Sequence, residues 1–149
     1  MSNEDFIEEI EQNIEEHGVQ IIQIDPDNEK DSPSFTYTIG LTATGRPEIL
    51  VFSLPEKAAH IMLNDLAILE NKDYFQHKLL TEIGNLPMIV KPVADNAAVV
   101  EEYVCWAGNL YDDVADDQLI WPDEEGKFPW KDGWNKSFDP YQSALYSLS

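Results

Sequence analysis

The sequence predicts an α+β fold: a mostly antiparallel sheet with three main helices, in a single domain over residues 1–149. Three observations predict it. Short segments of alternating or continuous apolar residues are bounded by turn residues, as strands are. Three other segments repeat their apolar residues at helical spacing. The two kinds of segment mix without forming repeated βαβ units, which favours antiparallel pairing.

The first helix spans 3–17. Phe6, Ile10 and Ile14 recur at i+4 with Ile7 beside them, and Glu8, Glu9, Glu11, Glu15 and Glu16 cover the outer face. Ser2 or Asn3 caps its start, Gly18 ends it, and His17 complements the negative end of the helix dipole when protonated. "VQIIQI" (Val19–Ile24) is the first strand, and the polar "DPDNEKDSPS" is a loop. "FTYTIGL" alternates, with Phe35, Tyr37, Ile39 and Leu41 on one face and Thr36 and Thr38 on the other. "EILVFSL" is a continuous apolar run, so the pair reads as a hairpin whose second strand is central.

Pro55 opens the second helix, with Ser53 and Glu56 at capping-box spacing. Its buried stripe is Ala59, Met62, Leu66 and Leu69. "LLTEIGNLPMIVKPV" gives two strand pieces broken at Gly84-Asn85. Val99, Tyr103, Trp106 and Leu110 form the third helical stripe, which ends at the acidic "YDDVADD". "QLIW" is a last strand, and the tail adds a further turn.

A 149-residue chain fits one domain and buries roughly 68–70% of its unfolded surface. Hydrophobic content of 43% and four tryptophans exclude wholesale disorder. A single cysteine, Cys105, excludes an internal disulfide and a CxxC metal knuckle; within an apolar helix it is expected to be a small buried hydrophobe. The start is acidic where a signal peptide would be basic, and no run approaches the ~20 apolar residues of a membrane span. A soluble cytoplasmic protein is expected.

The net charge of −20 is unevenly placed. Residues 1–31 hold eleven acids and one lysine, and residues 101–126 hold nine acids and no base. Such blocks argue against direct binding of nucleic acid or an anionic membrane. They suit a basic protein partner, a cation, or solubility.

No complete catalytic motif is present. Asp25, Asp27, Glu29 and Asp31 have calcium-loop spacing, but Lys30 stands where the loop needs glycine and Thr36 where it needs glutamate. The three histidines form no HExxH or HxH pair, and there is no GxSxG elbow or glycine-rich phosphate loop. His60 is expected on an exposed helix face. Neither a metal nor another cofactor is expected.

"QLIWPDEEGKFPW" (Gln118–Trp130) packs large rings and carboxylates around a turn. Pro122 cannot continue a ladder, and "PDEEG" has turn chemistry. Either Trp121, Phe128 and Trp130 close one end of the core, or they form a platform rimmed by Asp123, Glu124 and Glu125.

"FTYTIGL", "RPEILVF", "QLIWPDEEGKFPW" and "PYQ" together resemble the bacterial "domain of unknown function 4262" family over nearly the whole chain. The resemblance implies a small single-domain protein without a settled activity. It directs attention to the matching positions, among them Tyr37, Thr38, Gly40, Glu48, Gln118, Trp121, Asp123, Trp130 and Gln142. Two functions are then expected as alternatives. In the first, an inhibitor or immunity-type protein binds a basic partner, such as a nuclease or toxin. It would use Asp112, Asp113, Asp116, Asp117, Asp123, Glu124 and Glu125, with Trp121 and Trp130 as apolar anchors. In the second, a small-molecule binder or enzyme uses Glu48 or Asp123 as general acid or base, with Tyr37 and Gln118 orienting the ligand.

Overall fold

The computed structural model describes residues 3–26, 33–68, 79–80, 88–111 and 114–146. Helix α1 (Asn3–His17) leads into strand β1 (Gln20–Ile24), and β2 (Phe35–Ile39) and β3 (Glu48–Phe52) follow across a 3-10 turn at Leu41–Thr44. Helix α2 (Glu56–Ile68) precedes β4 (Leu79–Leu80) and β5 (Met88–Pro92). Helices α3 (Asn96–Glu102) and α4 (Cys105–Leu110) then lead to β6 (Asp116–Ile120), and a second 3-10 segment spans Lys136–Tyr141. This is a mixed α+β fold.

The strands form one sheet in the order β1-β2-β3-β6-β5-β4. All described pairings are antiparallel except β3 with β6, where Glu48 faces Asp116, Ile49 faces Asp117 and Leu50 faces Gln118. Every residue of β2, β3 and β6 is buried, because helices cover both faces. On one face α2 packs Ala59, Met62, Leu63 and Leu66 against Ile49, Val51 and Leu119. On the other, Ile10 of α1, Val99 of α3 and Ala107 of α4 pack with Tyr37, Ile39, Leu50 and Phe52. Strands covered on both sides read as continuous apolar runs, which is why "EILVF" lacks alternation.

The hairpin β2–β3 forms as expected, and Gly40 makes its corner. Gly40 has φ 129°, and a Cβ there would lie 2.8 Å from the Gly18 carbonyl oxygen. Gly40→Ala is expected to cost about 1–3 kcal/mol in backbone strain alone, read as a lower urea midpoint. Arg46 closes the far end of α2, donating from Nη1 to the Ala67 carbonyl at 2.8 Å and from Nη2 to that of Leu66 at 3.0 Å. A cation on the last carbonyls satisfies acceptors that the helix itself cannot.

Several local expectations change. The third helical stripe breaks at Tyr103–Val104 into α3 and α4, giving four helices among the described residues. Both Tyr103 and Val104 N–H donate to the Val99 carbonyl, so the chain turns there, yet Tyr103, Trp106 and Leu110 still pack on the same core. As the first residue of α4, Cys105 faces outward and is exposed, not buried. Ser53 does not cap α2. It has φ 59° and donates its hydroxyl to the Tyr141 carbonyl. The last strand begins at Asp116, two residues before the expected start. Leu69, Gly84-Asn85, and Asp27, Glu29 and Asp31 of the calcium-spaced loop lie outside the described residues. Among the described residues no helix is long and apolar enough to cross a membrane.

Candidate functional site

Glu48 opens β3 and has no solvent exposure. Its carboxylate lies over the start of the 3-10 turn that joins β2 to β3. Oε1 accepts from the Thr38 hydroxyl at 2.9 Å and the Leu41 amide at 3.2 Å. Oε2 accepts from the Gly40 amide at 3.2 Å, the Thr42 amide at 2.8 Å and the Thr42 hydroxyl at 2.6 Å. A carboxylate offers about four lone-pair sites, so five donors saturate it. Burial raises its proton affinity above the ordinary carboxyl value, and the Thr42, Thr38 and Gly40 bonds oppose that rise.

Asp116 lies beside Glu48 in register on β6 and is only 2% exposed. Its backbone is satisfied: the N–H donates to Asn96 Oδ1 at 3.0 Å, and the carbonyl accepts from Val93 N–H at 3.1 Å. Its side chain is different. Neither carboxyl oxygen has a hydrogen-bond partner in the protein. Burial first, then the charges of Glu48 and Asp117, push its pKa up to about 7. The two adjacent acids differ in surroundings: burial raises the pKa of both, hydrogen bonds oppose the rise at Glu48, and none does at Asp116.

Tyr37 reaches the same region from β2. Its hydroxyl oxygen accepts from the Trp106 amide at 3.4 Å, and burial, opposed by that bond, raises its pKa. The charges of Cys105, Glu48 and Asp116 raise it further. Tyr111, just past α4, is raised by burial and by the charges of Glu48 and Glu11. Thr38 and Tyr37, on opposite faces of one strand by alternation, meet the site differently: Thr38 bonds Glu48 directly, while Tyr37 packs in the core under α4.

The loop after β6 is a closing element. Trp121 is 8% exposed; its indole N–H donates to the Phe52 carbonyl at 2.9 Å, and its ring meets Trp134 and Phe138. Asp123 is a turn carboxylate. It accepts from the amides of Glu125 at 2.9 Å, Lys127 at 2.9 Å and Asn135 at 3.0 Å. Desolvation pulls the other way, but the amide bonds from Lys127, Asn135 and Glu125 hold its pKa below the ordinary value. Trp130 is half-buried, stacked on Phe128 with the Lys91 ammonium over its ring. Gln118 and Gln142 bind the tail. Gln142 pairs with both the N–H and the carbonyl of Trp121, and Gln118 pairs with Ser143 and Leu145. Trp121→Ala is expected to destabilise by about 3–5 kcal/mol, the cost of emptying a buried ring site, read by chemical denaturation.

The site residues expected from the sequence therefore divide. "YTIGL" and Glu48 come together, but Asp123 lies beyond the opposite end of β6, and Gln118 is committed to the tail. The acids expected to bind a basic partner are not all exposed. Asp116 and Asp117 are buried within a central strand, Asp123 is buried in its turn, and Glu124 and Glu125 are exposed. Asp112 and Asp113 lie outside the described residues. The partnership of Asp116 with Glu48 had one trace in the sequence: the alternation of "QLIW" extends backwards, placing Asp116, Gln118 and Ile120 on one side of a strand. Among the described residues no group of three or more His, Cys, Asp or Glu is arranged to hold a metal ion.

The fold and site define a single-sheet α+β protein built around a buried pair of acids on its central parallel strands. The chain belongs to the family described as "Domain of unknown function (DUF4262)", whose model matches residues 13–135. No curated protein and no solved structure matches the chain.

Proposed function

We propose that the domain binds a small molecule at the Glu48–Asp116 pair and that Asp116 exchanges a proton with it. One observation carries this reading: a buried carboxyl, without a partner for either oxygen, lies beside a second carboxylate already saturated by donors. Neighbouring acids whose surroundings separate their proton affinities are an acid–base arrangement. Asp123, held by three amides in a turn, is excluded from that role. The test is a carboxyl-carbon NMR titration of the whole chain. Asp116 is expected to keep its proton to near pH 7, and an ordinary titration near pH 4 would sink the reading.

A second reading, a binding surface for a basic protein, is favoured by a separate observation. Glu4, Glu8, Glu9, Glu11, Glu15 and Glu16 of α1 are all exposed, as are Glu124 and Glu125. A field of one sign steers an oppositely charged partner. The check is a salt-eluted pull-down with the chain and with Glu8, Glu11 and Glu15 changed to Gln. Unchanged partner recovery and salt dependence would remove this reading.

A further inference from the structure

Resting on the small-molecule reading of the Glu48–Asp116 site, we propose that its ligand is a small organic cation carrying N–H donors, an amine or a guanidine. The donors around Glu48 are committed to it. The Thr38 and Thr42 hydroxyls and the amides of Gly40, Leu41 and Thr42 all point at Glu48. The two Asp116 oxygens have no partner, and once Asp116 gives up its proton both are acceptors. A ligand that satisfies them must donate.

The charges that raise the pKa values here have one sign: Glu48 and Asp117 act on Asp116, and Glu48 and Glu11 act on Tyr111. An anionic ligand would add to this repulsion, and a cation would relieve it. A metal ion fits poorly. The Glu48 oxygens are occupied by five donors, which leaves Asp116 alone, whereas calcium takes 6–8 oxygen ligands. An amine needs one or two acceptors, which Asp116 supplies.

The experiment titrates the isotope-labelled full chain with methylamine, benzylamine and methylguanidine as cations. Acetamide serves as the neutral probe, acetate and inorganic phosphate as anions, and magnesium and calcium chloride as metals. The expected result is saturable shifts at Asp116, Tyr37 and Tyr111 with at least one organic cation, weakened tenfold or more in Asp116→Asn. Cation shifts confined to the α1 glutamates, or unchanged in Asp116→Asn, would overturn the proposal. So would saturation of Asp116 by acetamide, an anion or a metal instead, though the small-molecule site itself would then stand. If no probe moves Asp116, the cation proposal falls. An ordinary Asp116 titration in the same sample would remove the underlying site as well.

Discussion

Asp116→Asn is expected to make the protein more stable at pH 8 by up to about 4 kcal/mol, while leaving its stability near pH 4 almost unchanged. The ordinary pKa of this group is 3.8, and burial lifts it to about 7 in the fold. Between those values the folded chain binds a proton that the unfolded chain has lost, so stability falls as pH rises. The contribution of protonated Asp116 is fully present below pH 3.8 and gone above about pH 7. Asparagine has the same shape and does not titrate. The gap between variant and parent should therefore open across this interval, with a size set by about 1.4 kcal/mol per pKa unit. For a chain of this length it corresponds to roughly 10 °C in Tm. Parallel pH–stability curves for the two proteins would show that Asp116 is ionised in the fold at neutral pH. A neutral substitution that stabilises is the expected signature of a residue kept for activity at the expense of the fold.

Glu48→Ala is expected to have the opposite and larger effect, a loss on the order of 5 kcal/mol or more. Removing the carboxylate takes away the acceptor of three amides and two hydroxyls that are buried or partly buried. Each buried group left without a partner costs about 1–3 kcal/mol, and the whole stability of such a domain is only about 5–15 kcal/mol. Glu48→Gln separates charge from shape. With five donors aimed at the group, an amide NH₂ in place of one oxygen sets donor against donor. The variant should lose about 1.5–3 kcal/mol, the worth of hydrogen bonds to a charged acceptor. Urea denaturation of both variants checks this, and a Gln variant as stable as the parent would mean that Glu48 is protonated in the fold.

Most of the fold was legible in the sequence because its signals are local. The stripe Phe6, Ile10, Ile14 and the alternation of Phe35, Tyr37 and Ile39 each fix an element and its buried side within a few residues. The break at Tyr103–Val104 was not legible, since both halves keep their apolar residues in one helical phase. The site was half legible. Glu48 stood out as an acid at the head of an apolar strand. Asp116 was concealed, because an acid within "DDVADD" has the composition of a solvated run. Only its pairing with Glu48, 68 positions earlier in the chain, explains its burial. Charge composition reports how many acids a chain carries, not which of them a long-range strand pairing removes from water.

The position of β6 also bears on how the chain reaches its native state. Strands β1 to β3 form one run of neighbouring hairpins and β4–β5 another, and the latest strand in the sequence fits between them. During synthesis the first three strands emerge with an open edge at β3, and that edge stays unsatisfied until residue 120 is made. Long-range parallel pairing is intrinsically slow because the loop entropy is lost before the contacts form. The insertion of β6 is therefore expected to be the late step of folding. It is also the step that seats Asp116 beside Glu48, so near neutral pH it takes up a proton from solvent. Completion of the sheet and capture of that proton are one event.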